Sequence, residues 1–118
     1  MRAFSSALVL ALLMSTAAFA DPVGRYAVTG TDPGGKRVYK GDVVVERTGD
    51  TYQVVWEIEG SRTIGTGIGN KDFIAVSYRS GSSTGIALYS DDGSGTWAGV
   101  WTYAGGTQIG TERWERRQ

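Results

Sequence analysis

The sequence has no cysteine and no histidine, and each absence removes a class of site. Without cysteine the chain has no disulfide, no thiol nucleophile and no thiolate ligand for a metal. Without histidine it has no Ser-His-Asp triad and no ordinary zinc site. Twelve basic residues balance twelve acidic ones, so charge gives no reason to expect binding to nucleic acid or to an anionic membrane. We therefore expect no metal and no cofactor.

Proline is also scarce, whereas glycine is abundant. The chain contains 2 prolines and 18 glycines, and 11% of its residues are aromatic. Glycine supplies the positive backbone φ angles that tight turns require, and aromatic residues favour strands. This composition indicates many short turns between aromatic-rich strands.

Residues 1–20 have the pattern of a secretory signal peptide. Arg2 precedes the apolar run Ala7–Met14, and Ala18-Phe19-Ala20 fits the small-x-small cleavage pattern. A membrane anchor is the alternative, but the run is shorter than the ~20 residues that a bilayer span needs. We expect cleavage after Ala20, which leaves one domain, residues 21–118, in the periplasm or outside the cell.

Beyond residue 20 the sequence alternates with a period of two, and turn residues interrupt the alternation. Such short connections join antiparallel neighbours, which predicts a meander. Eight strands of this length can close into a barrel without sheet edges, and an open sandwich is the alternative. The predicted fold is thus all-β, a single eight-stranded antiparallel meander barrel of avidin or lipocalin type. The predicted strands are Gly24–Gly30, Arg37–Arg47, Thr51–Ile58, Arg62–Gly69, Phe73–Arg79, Gly85–Ser90, Gly95–Tyr103 and Thr107–Glu115.

The two halves of this domain resemble each other at an offset of 45 residues. Tyr52-x-x-x-Trp56 matches Trp97-x-x-x-Trp101, and the match extends through the glycines and threonines that follow. A fixed spacing of this kind favours a duplicated strand–turn–strand unit, although a sequence rich in Gly, Thr and aromatic residues can also match by coincidence. The repeat predicts similar inward positions for Trp56 and Trp101 on the third and seventh strands.

Several motifs recur along the predicted strands: Gly24-x-Tyr26, Tyr39-x-Gly41, Gly49-Asp50-x-Tyr52-x-Val54-x-Trp56, Gly65-x-Gly67-Ile68-Gly69 and Trp97-x-Gly99-Val100-Trp101-Thr102. With these motifs the sequence resembles a group of small exported proteins of alphaproteobacteria that are often labelled fibronectin-binding protein. This resemblance implies an exported β protein whose partner is a host matrix protein. Thr96-Trp97-x-Gly99 followed by Gly105-Gly106 is also similar to avidin-type barrels, which implies architecture alone.

The residues give little support for catalysis. Glycosidase chemistry needs two carboxyl groups across a cleft, and the acids that can pair are Glu57 with Glu112, or Asp91 with Asp92. Glu57 falls on the polar face of its strand, and Asp91 and Asp92 belong to a turn. The Gly/Ser loop near residue 82 has no base placed to activate a serine. We therefore expect a protein that is not an enzyme.

Two binding sites are candidates. Rings with polar tips suit a pocket for a small ligand, although such rings also form ordinary core, and Tyr39 is predicted to point inward with them. The candidate ligand-binding residues are Tyr26, Tyr52, Trp56, Tyr78, Trp97, Trp101 and Tyr103. Apolar side chains on the outward face can instead contact another protein, although single exposed valines are common in strands. The candidate partner surface comprises Val44, Val55, Ala98 and Val100.

We expect an exported, non-enzymatic binding protein that engages an extracellular or envelope macromolecule through its outer surface. The alternative is a carrier of a small molecule inside the barrel. Two further patterns have ordinary explanations. The alternate glycines at 65, 67 and 69 leave space for a neighbouring Trp ring or allow curvature, or admit a ligand. The charged residues from Glu112 to Arg117 are predicted to form a solvated, locally paired tail rather than an anion site.

Overall fold

The computed structural model describes residues 21–118, which form eight β-strands and no helix. None of these residues belongs to a helix that could span a membrane. The predicted signal peptide, residues 1–20, lies outside the described residues. The strands are β1 (Gly24–Thr31), β2 (Val38–Thr48), β3 (Thr51–Ile58), β4 (Ser61–Gly69), β5 (Phe73–Ser80), β6 (Ser83–Asp91), β7 (Thr96–Tyr103) and β8 (Gly110–Arg116).

The strands follow one another around a closed barrel, and each is antiparallel to its neighbours. The barrel closes between the first and last strands, where Val28 of β1 pairs with Trp114 of β8. The prediction of an eight-stranded antiparallel barrel is confirmed, and the open sandwich is excluded. Closure leaves no sheet edge among these strands, so every strand finds hydrogen-bonding partners on both sides.

The predicted strand limits agree with the structure to within a few residues, and the largest difference is at β8. This strand begins at Gly110 rather than at Thr107. The preceding loop is held outside the sheet, because Thr102 Oγ1 donates to the Gln108 carbonyl at 2.8 Å. The Gly34 amide also donates to the Ile109 carbonyl at 3.3 Å.

Two tryptophans that are related by the offset of 45 residues pack beside glycines. Trp56 on β3 and Trp101 on β7 both point into the barrel. A Cβ atom added to Gly65 would lie 3.1 Å from the Trp56 ring, and one added to Gly110 would lie 2.6 Å from Trp101 Nε1. Gly110 follows Gly65 by the same 45 residues that separate the tryptophans. Each glycine therefore makes room for an indole on the neighbouring strand, although the registers differ, since Trp101 pairs with Gly110 and Trp56 pairs with Thr63.

One end of the barrel is filled with side chains. Pro22, Tyr26, Trp97 and Trp114 are fully buried there. The Tyr26 hydroxyl donates to the Pro22 carbonyl at 2.6 Å, and the Arg116 guanidinium lies 4.8 Å from the centre of the Tyr26 ring. We call this end, which carries the β2–β3, β4–β5 and β6–β7 turns, the closed end. The opposite end is the open end.

Candidate functional site

A cavity of about 350 Å³ occupies the open end of the barrel. It has a wall of aromatic rings, a carboxyl group at its floor, and a rim of charged and hydroxyl side chains from two connecting loops. The residues that line it are Asp32, Arg37, Tyr39, Trp56, Ile58, Glu59, Ser61, Thr63, Tyr78, Tyr89, Trp101 and Glu112. Its volume lies within the range of small-molecule sites, ~300–1,000 Å³.

Glu112 is the buried carboxyl group at the floor of the cavity, with 7% of its surface exposed. Its Oε1 atom accepts hydrogen bonds from Trp56 Nε1 at 3.1 Å, the Tyr89 hydroxyl at 2.7 Å and Trp114 Nε1 at 2.9 Å. Its Oε2 atom accepts one from the Tyr39 hydroxyl at 2.6 Å. Because an indole N–H can only donate, these contacts define Glu112 as a hydrogen-bond acceptor.

The strand pairing brings the two tyrosines to Glu112 from either side. Gly30 and Gly99 are the cross-strand partners of Glu112 on β1 and β7. Tyr39 is in turn the partner of Gly30, and Tyr89 is the partner of Gly99. A Cβ atom at either glycine would overlap the adjacent tyrosine ring. The two glycines thus allow both rings to lean across a strand and reach the same carboxyl group.

Both hydroxyl groups are held in the protonated form. Burial raises the pKa of Tyr89 well above its ordinary value, and the neighbouring Glu112 carboxylate raises it further. Burial and then Glu112 raise the pKa of Tyr39 in the same way. At neutral pH both phenols therefore serve as donors to Glu112.

Four rings stand as the walls of the cavity, and we call Tyr39, Trp56, Tyr78 and Trp101 the aromatic box. Trp56 and Tyr78 have ring centres 6.1 Å apart and an interplanar angle of 67°. Tyr78 and Trp101 are 6.2 Å apart at 70°, and Trp101 and Tyr39 are 6.2 Å apart at 69°. Each of these pairs is in edge-to-face contact, and all four rings line the cavity.

The polar tips of the aromatic box are already bonded to the protein. Two of the four rings donate to Glu112, as described above. Trp101 Nε1 donates to the Thr31 carbonyl at 3.2 Å, and the Tyr78 hydroxyl donates to the Thr102 carbonyl at 3.0 Å. These bonds fix the orientation of the rings before any ligand arrives.

The rim of the cavity is crossed by ion pairs between two loops. Arg37, from the β1–β2 loop, pairs with Glu59 in the β3–β4 turn, and its guanidinium lies 3.6 Å from Asp32. Glu59 has a φ of 53°, a left-handed conformation that is unusual for a residue other than glycine, asparagine or aspartate. The turn thus keeps a carboxylate beside the entrance in spite of backbone strain.

The seven candidate ligand-binding residues divide between the cavity and the packed core. Trp56, Tyr78 and Trp101 line the cavity. Tyr103 is 45% exposed, and its ring packs against Trp101 with centres 5.3 Å apart. The remaining candidates are fully buried in the hydrophobic core and do not line the cavity; they are Tyr26, Tyr52 and Trp97.

The sequence analysis missed the centre of the site. The predicted inward rings do not include Tyr89, and the candidate ligand-binding set does not include Tyr39. The prediction of a solvated C-terminal tail is wrong for Glu112, which is buried beside Trp114. A signal was present in the sequence. If Trp114 points inward, period-two alternation also places Glu112 inside and Arg113 outside.

The four residues of the candidate partner surface do lie on the outer face, but they form no common patch. Val44 and Val55 are cross-strand partners on β2 and β3. Ala98 and Val100 lie on β7, which is four strands away from β3 in the eight-strand ring. The two pairs therefore face opposite sides of the barrel.

The other acidic residues have the ordinary roles expected of them. Glu57 lies on the outer face, where Arg62 Nε donates to its carboxylate at 2.7 Å. Asp91 and Asp92 each accept a hydrogen bond from the backbone amide two residues further on, which is an Asx-type turn. Within residues 21–118, no group of three potential metal ligands is close enough to hold an ion.

Comparison with protein-family models finds no match, and comparison with curated protein sequences finds none either.

Proposed function

We propose that this protein binds a small organic molecule in the cavity at the open end of the barrel, between the aromatic box and Glu112. The observation that carries the proposal is the cavity itself, which has about 350 Å³ of space beside rings whose orientations are fixed. An eight-stranded barrel either fills its interior with side chains or holds one small ligand. In this barrel, side chains fill the closed end, and the open end has the space for a small ligand.

The preorganisation of the site supports binding. Aromatic walls and a few fixed polar groups are the usual composition of a ligand pocket. The hydrogen bonds of Trp101 to Thr31 and of Tyr78 to Thr102 hold those rings in place without a ligand. A ligand therefore loses little affinity to the ordering of side chains.

The proposed activity is binding without chemical conversion. Glu112 accepts hydrogen bonds from four neutral donors. The other two acidic residues of the cavity lining, Asp32 and Glu59, are paired with Arg37 at the rim. Together with the signal-peptide pattern of residues 1–20, this supports an exported carrier or sensor in the periplasm or outside the cell.

The experiment is to fill the cavity and screen for lost binding. Thr63 lines the cavity on β4, so Thr63→Phe places a ring in the space. Thr29→Phe, on the exposed face of β1, is the same substitution with no access to the cavity. A panel of cationic, neutral and anionic small molecules is tested for stabilisation of each folded protein. We expect at least one compound that stabilises the wild type and Thr29→Phe but not Thr63→Phe. If every compound that stabilises the wild type stabilises Thr63→Phe and Thr29→Phe equally, the proposal is wrong.

A macromolecular partner on the outer surface is the second candidate function, and one observation favours it. Ile68, Ala75, Leu88 and Val100 are successive cross-strand partners on β4 to β7 and form an outward apolar row. Ile68 is 68% exposed and Leu88 is 52% exposed. The partner is an extracellular protein of the kind that the sequence resemblance implies.

Valines on opposite sides of the barrel provide a matched control for the proposed macromolecular contact. Val100→Asp interrupts the apolar row, whereas Val55→Asp changes a valine on the opposite side. We expect Val100→Asp alone to abolish binding to an immobilised matrix protein such as fibronectin, and neither variant to alter ligand binding in the cavity. Equal binding of matrix protein by the wild type and Val100→Asp would exclude the apolar row as the contact surface.

A further inference from the structure

Glu112 has no cationic partner in the part of the chain that the structure describes. The ion pairs formed among residues 21–118 do not include it. All four of its hydrogen-bond donors are neutral indoles or phenols. At the rim, Asp32 and Glu59 face a single basic residue, Arg37, so the lining has three acidic groups and one basic group. The cavity is therefore acidic.

The N–H and O–H groups of the aromatic box are not available to bind an anion. Each ring's N–H or O–H group is already bonded to Glu112 or to a backbone carbonyl. What the box leaves for a ligand is the faces of the rings and Glu112 Oε2, which accepts only one hydrogen bond. Ring faces carry the negative end of the aromatic quadrupole. The aromatic box and Glu112 thus present acceptors and π faces, and the donors elsewhere in the lining are the Ser61 and Thr63 hydroxyl groups and the Arg37 guanidinium, which is paired with Glu59.

An acceptor surface of this kind binds cations. An ammonium group over the face of Trp or Tyr within about 6 Å is attracted by the ring, and several rings around one site recognise alkylated ammonium groups. Because the box is largely buried, such a charge is screened less than at an exposed surface. We infer that the ligand is a small organic cation, whose alkylated ammonium group lies within the aromatic box and faces Glu112. This inference rests on the proposed function and names its ligand class.

The competing explanation is that Glu112 only holds the core together. In that case its hydrogen bonds alone matter, and the cavity should prefer neutral apolar molecules. Glu112→Gln distinguishes the two explanations, because the amide oxygen can still accept from Trp56, Tyr89 and Trp114. The amide N–H₂ can donate to the Tyr39 hydroxyl, which is able to accept. The variant keeps the hydrogen-bonded arrangement and removes the negative charge.

The experiment compares two probes of the same shape. Choline carries a trimethylammonium group, and 3,3-dimethylbutan-1-ol replaces its nitrogen by carbon and is neutral. Isothermal titration calorimetry gives the affinity of both probes for the wild type, for Glu112→Gln and for the matched control Glu115→Gln. Glu115 lies on β8 with its side chain exposed outside the barrel. Circular dichroism shows whether each variant retains the fold.

We expect the wild type to bind choline at least about tenfold more tightly than its neutral analogue, which corresponds to about 1.4 kcal/mol. Glu112→Gln should remove most of this preference, and Glu115→Gln should change it by no more than about twofold. If Glu112→Gln does not fold, the wild-type preference alone decides. Equal or tighter binding of the neutral analogue in the wild type would overturn the cation inference.

The same measurements separate this inference from the proposed function. Binding of the neutral analogue that equals or exceeds that of choline in the wild type and disappears in Thr63→Phe would leave the cavity as a ligand site and exclude the cation. If neither probe binds but another compound distinguishes Thr63→Phe from Thr29→Phe, the cation inference fails and the proposed function stands. If no compound distinguishes them, both fail.

Discussion

Trp56 and Glu112 are joined by a hydrogen bond of 3.1 Å through the interior of the barrel, although 56 residues separate them in the chain. Trp56 lies on β3 and Glu112 on β8, two strands that are not neighbours in the ring. The bond therefore ties opposite parts of the wall together at the boundary between the filled half and the hollow half. The stability of the fold and the shape of the cavity depend on the same carboxyl group.

Removal of this acceptor should be costly. Glu112→Leu leaves four buried donors without a partner, and each unsatisfied group costs ~1–3 kcal/mol. Allowing for relaxation, we expect a loss of about 3–5 kcal/mol in the free energy of unfolding, measured by urea titration. Glu112→Gln should cost less than half of that, and Glu115→Gln no more than ~0.5 kcal/mol. Equal stability of the Leu and Gln variants would show that the hydrogen bonds of Glu112 do not support the fold.

Truncation of tryptophans should distinguish the two halves of the barrel. Trp97 is fully buried in the closed end, so Trp97→Ala should cost ~3–5 kcal/mol by the formation of a new cavity. Trp101 is partly buried and borders a space that already exists, so Trp101→Ala should cost about half as much while it weakens ligand binding. Chemical unfolding of both variants tests this difference. Similar losses for the two would mean that the open end is packed as tightly as the closed end.

The glycine beside Tyr89 can be tested by a double-mutant cycle. A Cβ atom at Gly99 would overlap both the Leu88 carbonyl oxygen and the Tyr89 ring, so Gly99→Ala should shift the strand, push the ring away from Glu112 and destabilise the protein by ~1–3 kcal/mol. Tyr89→Leu should cost less in the Gly99→Ala background than in the wild type, because the displaced ring is already lost. Additive losses would show that Gly99 and Tyr89 act independently.

Alkaline pH should lower the free energy of unfolding, because several tyrosines have raised pKa values in the folded protein. Burial raises the pKa of Tyr26 and of Tyr78 to about 12, and the pKa values of Tyr39 and Tyr89 are also raised. A tyrosine with a raised pKa in the folded state stabilises the fold fully below its unfolded pKa of about 10, and this stability is lost as the pH rises through the folded pKa. We expect the free energy of unfolding to fall from about pH 10 upward.

Tyrosinate absorbance recorded together with circular dichroism tests this pH dependence. Ionisation of the tyrosines with raised pKa values, which are Tyr26, Tyr39, Tyr78 and Tyr89, should coincide with loss of the β-sheet signal. Full ionisation of all tyrosines near pH 10 with the fold intact would contradict the burial of these hydroxyl groups.

The outline of the fold was predictable because alternation and turn residues are local features. Strand β3 has the predicted limits, Thr51–Ile58, since a Gly-containing turn bounds it on each side. Short connections then force antiparallel neighbours, and closure removes the edges. The inward positions of Trp56 and Trp101 followed from alternation for the same reason.

The candidate site was less predictable because it depends on which inward residues pack and which border a space. Alternation assigns Trp97 and Trp101 to the same face, but it does not show that one fills the closed end and the other lines a cavity. The burial of Glu112 was not predicted, because Arg113 and Glu115 make the segment resemble a solvated tail. The four donors that permit its burial come from four different strands, and only the closed barrel brings them together.

The claim that the open end is a ligand site is tested most directly by the indole N–H resonances of the tryptophans in ¹H–¹⁵N spectra. These resonances are assigned from Trp→Phe variants. On titration with choline or with 3,3-dimethylbutan-1-ol, the resonances of Trp56 and Trp101 should shift together and saturate, whereas that of Trp97 in the closed end should stay in place. A bound probe that leaves the Trp56 and Trp101 resonances unchanged, or a Trp97 shift as large as that of Trp101, would contradict a ligand site at the open end.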